Sequence, residues 1–229
     1  MASRDSKSPP PRPLPRLYLA TPLVEEPQAL LELLPSVLAQ ADVAAVLLRL
    51  KHSDPRTLIS RIKMLAPAIQ DQGAALLLEG HPDLVARAGA DGAHLAGIAA
   101  LEEALPTLKP DRIAGAGGLA SRHDAMTAGE LGADYVLFGE PDARGERPSL
   151  AAICDRLEWW DELFELPSVG FAAEVSEVAA LASAGADFIL LGDFVWQAAE
   201  GPLAALRAAE AAIRQGRTVA PAKADAPQG

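Results

Sequence analysis

The chain has 229 residues, 50% of them hydrophobic, with a formal net charge of −11 and a pI near 4.8. The hydrophobic share excludes a disordered chain, and the acidic balance argues against a nucleic-acid partner. The longest apolar stretches, such as Phe188–Leu191, are too short to cross a bilayer, so no membrane partner is expected. The only cysteine, Cys154, excludes an intrachain disulfide and a Cys₄ or Cys₂His₂ zinc site. The first residues carry charges and prolines without the apolar stretch of a signal peptide, and the expected location is cytoplasmic.

Residues 1–16 are Pro-rich and lack hydrophobic periodicity, which predicts a disordered or polyproline-like tail. Residues 215–229 are polar and rich in Ala and Pro, and predict a second frayed tail. Between them, apolar runs at 17–20, 44–49, 74–78, 92–95, 112–115, 135–138, 168–170 and 188–191 predict strands buried on both faces. The segments at 27–40, 55–70, 83–88, 100–107, 121–131, 148–163, 174–184 and 198–214 predict helices. Eight such units in one domain over 17–214 predict an α/β fold, a single (β/α)₈ TIM barrel. About 200–250 residues suffice for that fold.

A repeat marks the even strands. Gln40-Ala41-Asp42, Gly89-Ala90-Asp91, Gly132-Ala133-Asp134 and Gly185-Ala186-Asp187 each stand just before one of them. The glycine suits a left-handed end to the preceding helix. The aspartate falls at the N-terminal face of the barrel, opposite to where barrels bind ligands. It therefore reads as a polar turn residue rather than a catalytic carboxylate.

Site candidates are the residues that follow the strands. Arg49 and Lys51, two apart at the end of strand 2, face the same way. They could clamp a phosphate or diphosphate; otherwise they are rim cations, or Arg49 pairs with a carboxylate such as Glu79. Gly115-Ala116-Gly117-Gly118, before a helix opening at Ser121, presents backbone N–H groups to an anion or makes a tight turn. Gly170 and Gly192, after strands 7 and 8, allow a phosphate close to the backbone. His94 ends strand 4 as an acid/base, a ligand or a hydrogen-bonded structural histidine. His52 and His81 lie in loops at the same face, and His123 in a surface helix. Glu79, Asp142 and Asp193 are metal candidates by location only, so no metal site is assigned, nor any catalytic residue. Trp159, Trp160 and Phe164 suit packing against the barrel or a partner subunit, and Cys154 suits the core.

These strand ends resemble a known family. Leu17-Tyr18-Leu19-Ala20-Thr21, Leu47-Leu48-Arg49-Leu50-Lys51, Ala88-Gly89-Ala90-Asp91-Gly92-Ala93-His94-Leu95, Gly132-Ala133-Asp134-Tyr135-Val136 and Ala184-Gly185-Ala186-Asp187 resemble segments of the thiamine phosphate synthase and TenI-type thiazole tautomerase superfamily. The likeness covers about 17–213, and the chain reads as a divergent member.

The resemblance implies a transferase of thiamine biosynthesis. Such an enzyme joins hydroxymethylpyrimidine diphosphate to thiazole phosphate, with Mg²⁺ and cations stabilising the departing diphosphate. Arg49 and Lys51 match the family's diphosphate positions, and Gly170 and Gly192 match its thiazole-phosphate positions. The chain departs from the pattern at Leu47, at Glu79-Gly80, at Ala99 where a Mg²⁺-binding aspartate stands, at Gly117 or Gly118, at the loop 139–144 and at Gly170-Phe171. The tautomerase histidine falls near Ala120. Two functions follow as expectations: a synthase with a rebuilt site, or a barrel that binds a thiamine-pathway phosphate without turnover. A third is a scaffold acting through the Pro-rich tail or the Trp159/Trp160 surface. The expected partner is a small phosphorylated heterocycle, and a homo-oligomer is compatible with the sequence.

Overall fold

A computed structural model describes residues 13–142 and 144–219. The two expected tails fall largely outside these residues. The strands are β1 (Arg16–Ala20), β2 (Val43–Leu48), β3 (Ala75–Glu79), β4 (Gly92–Ala96), β5 (Ile113–Gly117), β6 (Tyr135–Phe138), β7 (Ser168–Ala172) and β8 (Phe188–Leu191). All neighbours pair in parallel, and β1 pairs with β8, closing the barrel in sequence order. The helices are α1 (Gln28–Leu38), α2 (Pro55–Gln70), α3 (Pro82–Ala88), α4 (Ile98–Leu108), α5 (Arg122–Leu131), α6 (Leu150–Leu163), α7 (Val178–Ser183), α8 (Phe194–Gln197) and α9 (Pro202–Val219).

Among the helices, the largest departures from expectation lie after β7. The segment at 174–184 begins as a 3₁₀ turn, Val175–Glu177, before α7. Two helices stand where one was expected at 198–214: a short α8 ends before that range at Gln197, and α9 opens inside it at Pro202, just after Gly201 with its φ of +85°. The second of them, α9, continues to Val219, past the expected domain end at 214. Gly216 permits this, because a Cβ there would run into the carbonyl of Ala179 in α7.

Successive strand residues alternate between two apolar compartments. Leu17, Leu19, Val46, Leu48, Leu76 and Leu78 lie buried between barrel and helices. Tyr18, Leu47, Leu77, Tyr135, Val169 and Leu190 fill the barrel interior. Gly115 belongs to the second pattern: a Cβ there would overlap the Tyr135 ring.

The repeated aspartates tie the bottom of the barrel together. Asp91 Oδ2 accepts from the Leu76 N–H at 2.7 Å, Asp134 Oδ2 from the Ala114 N–H at 2.7 Å, and Asp187 Oδ2 from the Ser168 N–H at 2.9 Å. Each donor is at the start of the preceding odd strand, where the staggered barrel leaves an N–H to be satisfied. Asp42 instead takes the Arg16 guanidinium at 2.7 Å. The helices before them end as read, with Gly89 and Gly132 left-handed at φ 79° and 99°.

Candidate functional site

The C-terminal mouth is built from the ends of β1 to β8. Thr21, fully buried, accepts the Arg49 N–H on its Oγ1 at 3.0 Å and fixes the backbone where Arg49 leaves β2. Trp196 of α8 donates its indole N–H to Ala20 O at 2.7 Å, which docks α8 over β1. Asp193, just before α8, thereby meets Arg49: Nη1 to Oδ1 is 2.8 Å. Lys51 binds a different carboxylate, Glu25, at 2.6 Å, and its ammonium holds the Glu25 carboxyl below the usual carboxylate range. Arg49 and Lys51 are thus both at the mouth but engage separate anions. The pairing considered between Arg49 and Glu79 is absent; Glu79 is exposed at the end of β3, beside His94 in register.

A chain of hydrogen bonds runs from the mouth into the barrel. Glu140, after β6, accepts the Gly118 N–H on Oε1 and faces His94 Nε2 with Oε2 at 3.0 Å. His94 Nδ1 lies 2.9 Å from the Tyr135 hydroxyl, which lies 3.1 Å from the Tyr18 hydroxyl. His94 is 3% exposed and the Glu140 side chain 19%. Burial pushes the Tyr18 and Tyr135 hydroxyls well above the usual tyrosine range, and the Glu140 charge adds to both shifts. Both tyrosines are therefore protonated in the working range. A carboxylate facing Nε2 requires a proton on that nitrogen. In the tautomer with its proton on Nε2, Nδ1 accepts from Tyr135 and Tyr135 accepts from Tyr18, so every hydrogen has a place.

Gly117 makes this arrangement possible. A Cβ on it would overlap Glu140 Oε1 and stand 2.5 Å from His94 Nε2. The glycine-rich segment does present a backbone N–H to an anion, as its composition suggested, and that anion is the chain's own Glu140. The strand extends to Gly117 rather than ending at 115, so Gly115 and Gly117 both face the interior.

The other glycines sit differently from each other. β7 continues past Gly170 to Ala172, because Phe171 and Ala172 pair with Leu190 and Leu191. Gly170 therefore lies inside the strand, and the side where a Cβ would stand faces Leu157 and Leu181 of the helix layer. Gly192 follows β8, but its N–H donates to Ala172 O at 3.0 Å.

Arg147 and Arg156, which no local pattern in the sequence singles out, shape the loops. Arg147 Nη1 binds both Glu177 oxygens at 2.9 and 3.0 Å, its Nε donates to Gly139 O, and its guanidinium lies 5.4 Å from the Phe171 ring centroid. Arg156 donates to Leu119 O at 2.9 Å and Ala120 O at 2.7 Å. Between these loops lies a cavity of about 290 Å³, bordered by Gly118, Leu137, Glu140, Arg147 and Arg156. That is near the lower end for small-molecule sites. Tyr135 and Glu140 also escaped the sequence reading as partners of His94; the Gly-Ala-Gly alternation of β5 was the available sign that large side chains lean across that strand.

The carboxylates at the mouth do not gather into a metal set. Glu140 is taken by Gly118 and His94, Asp193 by Arg49, and Asp142 Oδ1 accepts the Arg144 and Glu146 N–H groups of its own turn. Among the described residues no three His, Cys, Asp or Glu side chains converge. The residues present do not fit the Mg²⁺ that the family resemblance implies. Away from the mouth, Trp160 is buried and donates to Leu166 O at 2.7 Å, stacking on Phe164, as the packing reading expected. Cys154 packs against the core, and burial pushes its thiol up.

Known proteins resemble this chain over most of its length. The family model described as thiamine monophosphate synthase matches residues 17–195. A thiamine-phosphate synthase of Rhodospirillum centenum is 39% identical over 199 residues, 83% of this chain and 94% of that protein. One from Hyphomonas neptunium is 38% identical over 207 residues, 86% of this chain and 93% of that protein. Among solved structures, a thiamine phosphate pyrophosphorylase from Pyrococcus furiosus superposes with a TM-score of 0.72 at 21% identity, covering 88% of this chain and 96% of that one. The fold is shared more widely: a 3-hexulose-6-phosphate synthase from Salmonella typhimurium superposes at 0.65 with 17% identity, covering 88% of this chain and 99% of that one.

Proposed function

The chain belongs to the thiamine monophosphate synthase family, and from that premise we propose that it is a thiamine-phosphate synthase, a transferase of thiamine biosynthesis. The substrates are hydroxymethylpyrimidine diphosphate and thiazole phosphate. The observation that carries this reading is the near full-length likeness to thiamine-phosphate synthases, at up to 39% identity.

In this reading the bond between the pyrimidine methylene carbon and the diphosphate oxygen breaks, and the diphosphate leaves with the electron pair. The thiazole nitrogen lone pair then forms the new C–N bond, giving the thiazolium product. The barrel's task is to bring the two rings together and to steady the negative charge that builds on the leaving group. Arg49 is the side chain suited to the second task. It stands at the mouth with a planar array of N–H donors, and its observed partner, Asp193, is a half-exposed carboxylate that a diphosphate can displace. Lys51 adds a second positive charge on the same rim. Glu79 and His94 stand at the ends of β3 and β4, and Gly117 and Gly118 hold Glu140 on the β5–β6 side. Gly170 and Gly192 belong to the β7–β8 side, where the thiazole phosphate is expected.

The test is direct. Purified protein is given both precursors in Mg²⁺-containing buffer, and thiamine phosphate and released diphosphate are quantified. Turnover is expected, and Arg49→Ala lowers it about 10²–10³-fold. No product above the uncatalysed background overturns the proposal. A second reading, phosphate binding without turnover, is favoured by the internal pairing of Arg49 and Lys51 with carboxylates. It expects the wild-type protein to gain thermal stability from thiazole phosphate while producing nothing.

A further inference from the structure

We infer that Glu140 is a specificity-determining residue that accepts a hydrogen bond from the exocyclic amine of the pyrimidine substrate, with His94 as the group that positions it. The inference rests on the synthase reading, since it names a substrate contact within that site.

Four observations carry it. Glu140 is a carboxylate held on both oxygens: Oε1 takes the Gly118 N–H and Oε2 takes His94 Nε2. Each oxygen has further acceptor capacity, since an ionised carboxylate offers about four lone-pair sites. The Glu140 side chain is four-fifths covered, so its ion is committed to specific partners rather than to bulk water. It borders the cavity between the β5 and β6 loops, whose walls include Leu137 and the Gly118 backbone. Of the three carboxylates on that cavity, Asp142 and Glu146 are exposed, and Asp142 Oδ1 is taken by its own turn, so Glu140 beside Leu137 is the covered, fixed acceptor that suits a flat heterocycle offering an N–H donor. Arg147 and Arg156 also border that cavity, but Glu177 and loop carbonyls already engage their guanidinium groups. Glu140 is thus the acceptor best placed there.

The chemistry of the bond cleavage strengthens the contact. As diphosphate leaves with the electron pair, positive charge spreads from the methylene carbon through the ring to the exocyclic amine. Its N–H groups become stronger donors, so a fixed carboxylate beside them stabilises the transition state more than the ground state. No proton need be transferred for this effect. Gly117 is required for it, because any Cβ would take the position of the carboxylate.

The experiment compares hydroxymethylpyrimidine diphosphate with its analogue lacking the exocyclic amine, using kcat/KM for each with saturating thiazole phosphate. Wild-type protein is expected to prefer the amine both because the amine itself stabilises the cation and because Glu140 accepts from it. In Glu140→Gln the ratio is expected to fall about 10–100-fold below that of wild type, the range for a hydrogen bond to a charged group, with KM for thiazole phosphate nearly unchanged. Glu140→Asp, which keeps the charge, is expected to retain part of the preference, and it serves if the Gln variant does not fold. A Gln variant that discriminates as well as wild type, or a wild type with no preference, overturns the inference while leaving the synthase reading standing. A wild type that turns over neither pyrimidine overturns both.

Discussion

Replacing Tyr135 by Phe removes one oxygen from the middle of a buried chain. The hydroxyl lies 2.9 Å from His94 Nδ1 and 3.1 Å from the Tyr18 hydroxyl, linking the two. Without it, His94 Nδ1 loses its partner inside the barrel. An unsatisfied buried polar atom costs about 1–3 kcal/mol. The Tyr18 hydroxyl also loses a partner, but it borders a cavity of about 330 Å³ that opens at the N-terminal end of the barrel. Its O–H is free to turn toward another acceptor, so its share is smaller. The expected loss near pH 7 is about 2–3 kcal/mol. The pH dependence is the sharper test. Burial raises both tyrosines above their unfolded value near 10. Above that pH the unfolded chain releases protons that the folded chain keeps, so stability falls as pH rises. Each tyrosine contributes a slope of about 1.4 kcal/mol per pH unit. Removing one of the two should halve the tyrosine share of the slope. Urea unfolding of both proteins between pH 9 and 11.5 reads this as a gap that narrows by about 1.4 kcal/mol per unit above pH 10. Parallel stability curves would refute the assignment of Tyr135 as a buried, protonated link.

Two glycine substitutions separate flexible from rigid neighbours. Gly117→Ala displaces the end of the Glu140 side chain and is expected to cost about 1–3 kcal/mol in urea unfolding, together with the loss of amine preference expected of Glu140→Gln. Gly115→Ala drives a methyl into the packed Tyr135 ring, which cannot withdraw; its cost should exceed that of Gly117→Ala, and an equal or smaller value would contradict the packing described. Asp193→Asn frees Arg49 from a charged competitor. Because Asp193 is 52% exposed, the ion pair is worth at most about 1 kcal/mol, so calorimetry should show inorganic diphosphate binding about 2–5-fold more tightly. Weaker binding than wild type would mean that Asp193 assists the anion instead of competing with it.

Much of the fold was legible because its signals are local. Helix α2 occupies 55–70 as its sequence predicts, since Asp54 caps it by accepting the Thr57 N–H and Pro55 opens it. The Ala-Asp repeats identified the even strands and the bottom face through one chemical role, a carboxylate for a neighbouring strand's N–H. His94 was legible as a residue at a strand end, with its role left open. The site's wiring was not legible because it is non-local. Arg49 meets Asp193 rather than Glu79 because the barrel closes β1 on β8 and α8 docks on the end of β1. Gly170 was taken as the end of a strand that pairing with β8 extends by two residues. Glu140 gains its partners only once Gly117 has left the space for it, which is a property of three strands together.

Two carboxylates at the mouth, Asp193 and Glu140, have opposite prospects when a diphosphate arrives. Asp193 holds Arg49 by a single hydrogen bond and is half in water, so leaving costs it little desolvation already achieved and one exposed ion pair. Glu140 occupies the Gly118 N–H with one oxygen and faces His94 with the other, and is largely covered. Expelling it would leave a buried imidazole N–H and a backbone N–H without partners, a penalty several times larger. In the synthase reading the anion is therefore expected on the β2–β8 side, exchanging one negative partner of Arg49 for another. The β5–β6 side keeps its own charge and is left to recognise something that donates. An acidic barrel can thus take an anionic substrate without a bare cationic cleft, because Arg49 exchanges one anionic partner for another and the fixed carboxylate across the mouth is proposed to face the ring rather than the phosphates.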